Sequence, residues 1–247
     1  ESTLINSITM LVKELGYPED VAKDFVQMAK SWLDYNGQSV LVVYREQLMH
    51  AKEDYKKGKI SEQQLADMEE KLITRLCRIT KREIHDYNSC YDLADIIKDK
   101  NANCLGNAQL IYILGSSIGL SVKAIDVIDL TGYMNDLDEV GHVANIFTLS
   151  NGKAVLTDLS VGPFISAPFK LEEIFRRNGE NFEYIEQKSY DPVSIYKNFR
   201  VFDNNGIIAT VCNNHAADCN KSGQPDEAML YCDRAIEKDP NCRNAYP

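Results

Sequence analysis

The sequence predicts an α+β fold, with helices gathered toward both ends and an antiparallel sheet packed against one central helix. Three observations predict it. Residues 1–100 place apolar side chains at helical spacing between start and stop signals. From about 101 to 200 the period changes, with one apolar helix followed by strand-like runs, and the last forty residues return to helix. The expected divisions are a helical segment over 1–86, a core over 87–203 and a helix pair over 204–247.

Taken in order, "PEDVAKDFVQMAKSWLDYNG" opens on Pro18 and two acids and closes at Asn36-Gly37, which predicts a helix between them. A second helix is expected over 40–57, ending at Gly58. The third is announced by Ser61-Glu62-Gln63-Gln64, a capping box with Gln64 reaching back to the cap residue. Behind it Leu65, Met68, Leu72, Leu76 and Ile79 form an apolar stripe, the signature of core or helix pairing. "SCYDLADIIKDK" reads as one more short helix. The helix near 103–118 is apolar almost all round and therefore expected to be central and buried. "VKAIDVIDL", "HVANIFTL" and "AVLTDLS" read as strands, 170–178 as a short helix and "FEYIEQK" as an edge strand. Two final helices are expected to meet at Ser222-Gly223-Gln224.

Composition narrows the function. The 247 residues are 44% hydrophobic and 26% charged, with a formal net charge of −10. An acidic chain lacks the clustered Lys/Arg surface that phosphate backbones require, so no nucleic-acid partner is expected. No apolar run approaches the roughly 18–20 residues of a membrane span, so no membrane partner is expected either. The chain opens at Glu1 and ends at "NCRNAYP", which reads as an excised fragment. Seven cysteines, an odd number in a chain too large for a disulfide scaffold, read mostly as reduced core thiols. With no signal segment in this stretch, they favour the cytoplasm.

Cys104 stands apart from the other six. It sits where the polar "NAN" becomes the apolar helix, and a thiol at a helix start meets unpaired backbone N–H groups and the positive dipole end, which favour thiolate. The dipole contributes at most ~2 kcal/mol. That is not enough for a fully ionised nucleophile at neutral pH, so a second cation is needed, usually an imidazolium. Of the four histidines, His50 and His85 lie in the helical part and His215 in the last helix pair. Only His142 starts a strand soon after the cysteine helix. Its partner depends on a hairpin, "HVANIFTLSNGKAVLTDLS", turning at Asn151-Gly152. A two-residue loop would pair Ser150 with Lys153 and leave His142 and Asp158 on opposite faces. A three-residue loop, Ser150-Asn151-Gly152, with Gly152 left-handed, would set Asp158 across from Ala144, diagonal to His142 and on its face.

The order Cys104, then Gly119-Leu120-Ser121-Val122-Lys123-Ala124 before a strand, then "HVAN" at 142–145, then "LTDLS" at 156–160, resembles the transglutaminase-like superfamily of papain-fold thiol enzymes. The likeness spans about residues 87–162. It implies Cys104 as nucleophile, His142 as general base and acid, and Asp158 as the group orienting the imidazole. It also implies a thioester formed on an amide-bearing peptide or protein substrate, with hydrolysis ranked ahead of transamidation and no cofactor. The Cys104 backbone N–H is the expected first oxyanion donor. For the second, Trp32 is far away in sequence, and Tyr87, Asn88 and Tyr91 are the candidates. The alternative is a catalytically degenerate scaffold that binds a protein or peptide.

The last forty residues resemble one tetratricopeptide repeat, with Ala216, Gly223, Glu227-Ala228, Tyr231, Ala235-Ile236 and Asp239-Pro240 falling where that motif puts them. Ala216, Cys219, Ala228, Cys232 and Ala235 are then expected to pack the two helices closely, leaving the outer side for a protein partner. Cys212, His215, Cys219, Cys232 and Cys242 invite a zinc reading, but their spacing contains no Cys-x-x-Cys knuckle, so no metal is expected. Asp126, Asp129, Asp136, Asp138 and Glu139 lack an EF-hand pattern and read as a solvated acidic loop.

Overall fold

The computed structural model describes residues 2–34, 36–86, 90–130, 141–160, 164–186 and 191–242. The N-terminal layer begins with α1 (Ser2–Glu14) and α2 (Glu19–Lys30). Pro18 and the acids start α2 as expected, but the helix stops at Lys30, short of Asn36-Gly37. There the Ser31 hydroxyl donates to the Met28 carbonyl (2.7 Å), and Asp34 Oδ1 accepts the Asn36 and Gln38 N–H groups (2.8 and 2.9 Å). Side chains that cap the backbone in this way compete with helix continuation. α3 (Val40–Lys56) follows, and Gly58 leaves it with φ +70°.

α4 (Glu62–Glu83) carries the expected capping box: Gln64 N–H donates to Ser61 Oγ at 3.2 Å and Ser61 N–H to Gln64 Oε1 at 2.8 Å. Its stripe buries Leu65, Leu72, Leu76 and Ile79, with Met68 packed at the margin. β1 (His85–Asp86), α5 (Leu93–Asp99) and β2 (Asn101–Ala102) then lead into α6 (Cys104–Ile118), β1 and β2 pairing in parallel. Every α6 residue from Leu105 onward is buried except Ser116. Helices α1, α3 and α4 pack on one side of it and the sheet on the other. A Cβ on Gly115 would stand 3.2 Å from Val122 and 3.3 Å from Phe147, so helix and sheet approach closely where this residue lacks a side chain.

The sheet comprises β3 (Ser121–Leu130), β4 (His142–Thr148), β5 (Ala154–Asp158), β6 (Phe164–Ile165), β7 (Phe175–Asn178), β8 (Asn181–Tyr184) and β9 (Tyr196–Val201). Its order is β6-β5-β4-β3-β9-β8-β7 and every pairing is antiparallel. Helices and an antiparallel sheet thus occupy separate layers, an α+β arrangement. Three strand expectations need correction. The helix expected over 170–178 is a single turn, α7 (Leu171–Ile174), after which 175–178 turns at Gly179 (φ +62°) into a hairpin with β8. β8 is paired on both sides, so the edge is β7. β9 was not anticipated at all, yet it lies between β3 and β8 in the middle of the sheet.

α8 (Asn204–Lys221) and α9 (Pro225–Lys238) form the C-terminal pair, turning at Gly223 (φ +73°). Ala216, Ala228 and Ala235 are buried as expected, whereas Cys219 and Cys232 are only partly buried and lie toward the margin of the pair. No helix among the described residues is long and apolar enough to cross a membrane.

Candidate active site at the start of the central helix

The cysteine is presented by a tightly built helix start. Asn103 Oδ1 caps α6 by accepting the Gly106 N–H at 3.0 Å, while the Asn103 N–H donates to the Cys90 carbonyl at 2.7 Å. Gly106 is obligatory here for want of space, since a Cβ would lie 2.7 Å from Ile96 Cδ1 and 2.8 Å from the Cys90 oxygen. Cys104 is the first helical residue and is partly exposed.

The hairpin adopts the three-residue loop. Leu149 N–H donates to Lys153 O at 2.8 Å, Gly152 N–H to Leu149 O at 2.9 Å, and Gly152 has φ +79°. Glu69 of α4, buried beneath the loop, accepts the Ser150 N–H at 2.6 Å and its hydroxyl at 2.7 Å. The register runs Thr148↔Ala154 to Asn145↔Thr157, so Asp158 shares a face with His142. Asn145, the polar position of "HVAN", donates to the Ala108 carbonyl of α6 at 3.1 Å and so fixes β4 against the cysteine helix.

These elements bring the three candidates together. His142 Nε2 lies 2.5 Å from Asp158 Oδ2, both residues being buried. That leaves Nδ1 as the ring nitrogen for Cys104, whose side chain lies beside the imidazole and lines the same cavity. Burial pushes His142 down, but the Asp158 and Cys104 contacts outweigh it and hold the imidazole up at about 10. Asp158 is pushed up by burial and pulled below its ordinary value by His142 and Ser160. Other thiols are held protonated: burial raises Cys77 to about 12, and burial with nearby acids raises Cys90 to about 11.

Two residues at the site escaped the sequence reading. Ser160 donates its N–H and hydroxyl to Asp158 Oδ1 at 3.0 and 2.7 Å, and the fully buried Tyr196 donates its hydroxyl to Asp158 Oδ2 at 3.0 Å. The Asp-x-Ser turn was a readable signal for Ser160. Tyr196 comes from β9, which carried no clear strand signal. The site also opens on a small cavity, about 60 Å³, that includes Asn213 and Asn214 of α8.

Of the residues considered for the second donor, the two that are described are engaged elsewhere. Trp32 is buried in the helical layer, and Tyr91 turns its hydroxyl to Asp218 at 2.7 Å. Tyr87 and Asn88 lie outside the described residues, as do Asp136, Asp138 and Glu139. Asp126 instead stands 3.7 Å from Arg200. Cys212 and Cys242 share a buried apolar cluster with Ala209 and Ala235, and no group of three or more potential metal ligands occurs among the described residues. Comparison of the chain with protein-family models, with curated proteins and with solved structures found no match.

Proposed function

We propose that the protein is a thiol-dependent acyl-transfer enzyme of transglutaminase-like, papain-type construction, hydrolysing amide bonds through Cys104, His142 and Asp158. The observation that carries this reading is the buried His142–Asp158 pair, with Cys104 at the start of α6 sharing one cavity with the imidazole. His142, held up at about 10, is a cation at neutral pH, the counterion that a thiol nucleophile requires.

In the reaction the Cys104 sulfur attacks the amide carbon, and the oxyanion forms near the backbone N–H at the start of α6. His142 gives its proton to the departing nitrogen, the C–N bond breaks, and a thioester remains. Neutral His142 then takes a proton from water, the hydroxide adds to the thioester, the C–S bond breaks to return the Cys104 thiolate, and the carboxylic acid leaves and loses its proton to solvent. Asp158 keeps Nε2–H engaged throughout, so that Nδ1 is the atom that exchanges protons. Four hydrogen bonds, one each from His142 and Tyr196 and two from Ser160, keep Asp158 ionised and fixed.

The test is the pH profile of Cys104 alkylation by iodoacetamide. Wild type should react at about pH 6, where ordinary thiols are inert. His142→Ala should move the profile up toward the free-thiol value near 8.5, and Asp158→Asn should move it part of the way. Three superimposable profiles would reduce the site to a scaffold that binds a partner without catalysis.

A further inference from the structure

The C-terminal helix pair does not stand apart from the site. The cavity at Cys104 and His142 is lined on its far side by Thr210, Asn213 and Asn214, which lie on α8. At about 60 Å³ it is narrow, with room for a few water molecules. Cys104 is nevertheless partly exposed, so the cover is close without being sealed.

Among the contacts that hold the pair in place, two polar ties stand out. Asp239, the residue that ends α9, forms a buried bidentate pair with Arg200 of β9, at 3.0 Å from Nη1 and 2.6 Å from Nη2. Such a pair fixes geometry as well as charge. On the other side His215 of α8 reaches Asp92 with Nε2 and the Tyr91 hydroxyl with Nδ1, both at 3.2 Å, and stacks on Tyr231 of α9. Arg200 itself lines the cavity, so the first tie lies at the mouth of the site.

We propose that α8 and α9 form a latched cover that sets the size of what reaches Cys104, with the Arg200–Asp239 pair as the latch. The cover builds on the reading of Cys104 as the reacting thiol. In the docked state only a slender group enters, and a polypeptide reaches the sulfur when the pair swings away. Opening requires breaking these ties and the Tyr91–Asp218 hydrogen bond (2.7 Å), a local event short of global unfolding.

The test compares two reagents on the full chain at about pH 8.5, where even an ordinary thiol is substantially ionised. Iodoacetamide is the small probe and a maleimide carried on a polyethylene glycol chain the bulky one, each read by mass spectrometry at Cys104. Wild type should react readily with the first and slowly with the second. Asp239→Asn should speed the bulky reagent about tenfold, as expected when an opening equilibrium shifts by ~1.4 kcal/mol, and leave the small one unchanged. Tyr91→Phe, which weakens the second tie by removing the Tyr91 hydroxyl's bonds to His215 and Asp218, should act in the same direction and serves if Asp239→Asn fails to fold. Equal wild-type access for both reagents, or no selective gain in either variant, overturns the cover. Because reactivity at this pH does not require His142, that result stands apart from any failure of the low-pH profile.

Discussion

At the scale of single residues, Asp158 carries the most consequence, because its charge is buried with its donors around it. Its acidity is raised by contacts that exist only in the folded chain, so the folded protein binds its proton less readily than the unfolded one does. A carboxylate depressed in this way contributes stability above its unfolded value near 3.9, and that contribution disappears as pH falls through the lower folded value. Asp158→Asn should therefore cost about 3 kcal/mol in urea unfolding at pH 7, and the difference from wild type should shrink steadily below about pH 4. A gap that stayed constant down to pH 2 would show that the carboxylate's charge is not what matters. Ser160 could be read beside Asp158 in the sequence because Asp-x-Ser turns are local. Tyr196 could not, since its approach depends on a strand pairing that brings together residues 38 apart.

At the scale of elements, the hairpin between β4 and β5 decides whether His142 meets Asp158. Side chains alternate along a strand, so one residue more or less in the loop exchanges the faces. Gly152 makes the three-residue loop possible by taking a left-handed conformation, and nothing lies within 4 Å of where its Cβ would be. Gly152→Ala should thus cost only the backbone strain, about 1 kcal/mol, with the Cys104 profile unchanged because the register survives. Deleting Asn151 is a different experiment. A two-residue loop would turn Asp158 away from His142, and low-pH alkylation should be lost together with a large share of stability. If the deletion variant kept both, Asp158 would not be the partner that matters. The sequence left the two loops open because both suit Asn-Gly; Glu69, 81 residues earlier in α4, grips Ser150 in the longer one.

At the scale of the whole molecule, α6 is the axle. Helices α1, α3 and α4 lie on one side, the sheet on the other, and α8 crosses near its start. Its all-round apolar character was the clearest statement in the sequence, since a helix without a polar face has nowhere to go but the interior. Leu110, fully buried at its middle, should cost roughly 3 kcal/mol when cut to Ala. Thermal denaturation followed separately in the helical and sheet regions should fall by the same amount if they share this core. A drop confined to one region would indicate that the layers unfold independently.

The sequence by itself determined what local physics can dictate: the capping box of α4, the buried central helix with its thiol at the start, the hairpin strands and the paired C-terminal helices. Each is written in residues within a few positions of one another, through side-chain periodicity, caps and turn chemistry. The tertiary structure decided the rest. It ended α2 early through the Ser31 and Asp34 bonds, converted 175–178 from helix to strand by giving it a partner, and placed β9 mid-sheet although its Arg200 and Asn198 blur any alternation. It also chose the hairpin register, brought Tyr196 to Asp158 and laid α8 across the mouth of the site. These outcomes depend on contacts between residues far apart in the chain, whose free energies exceed the small local preferences that a sequence displays.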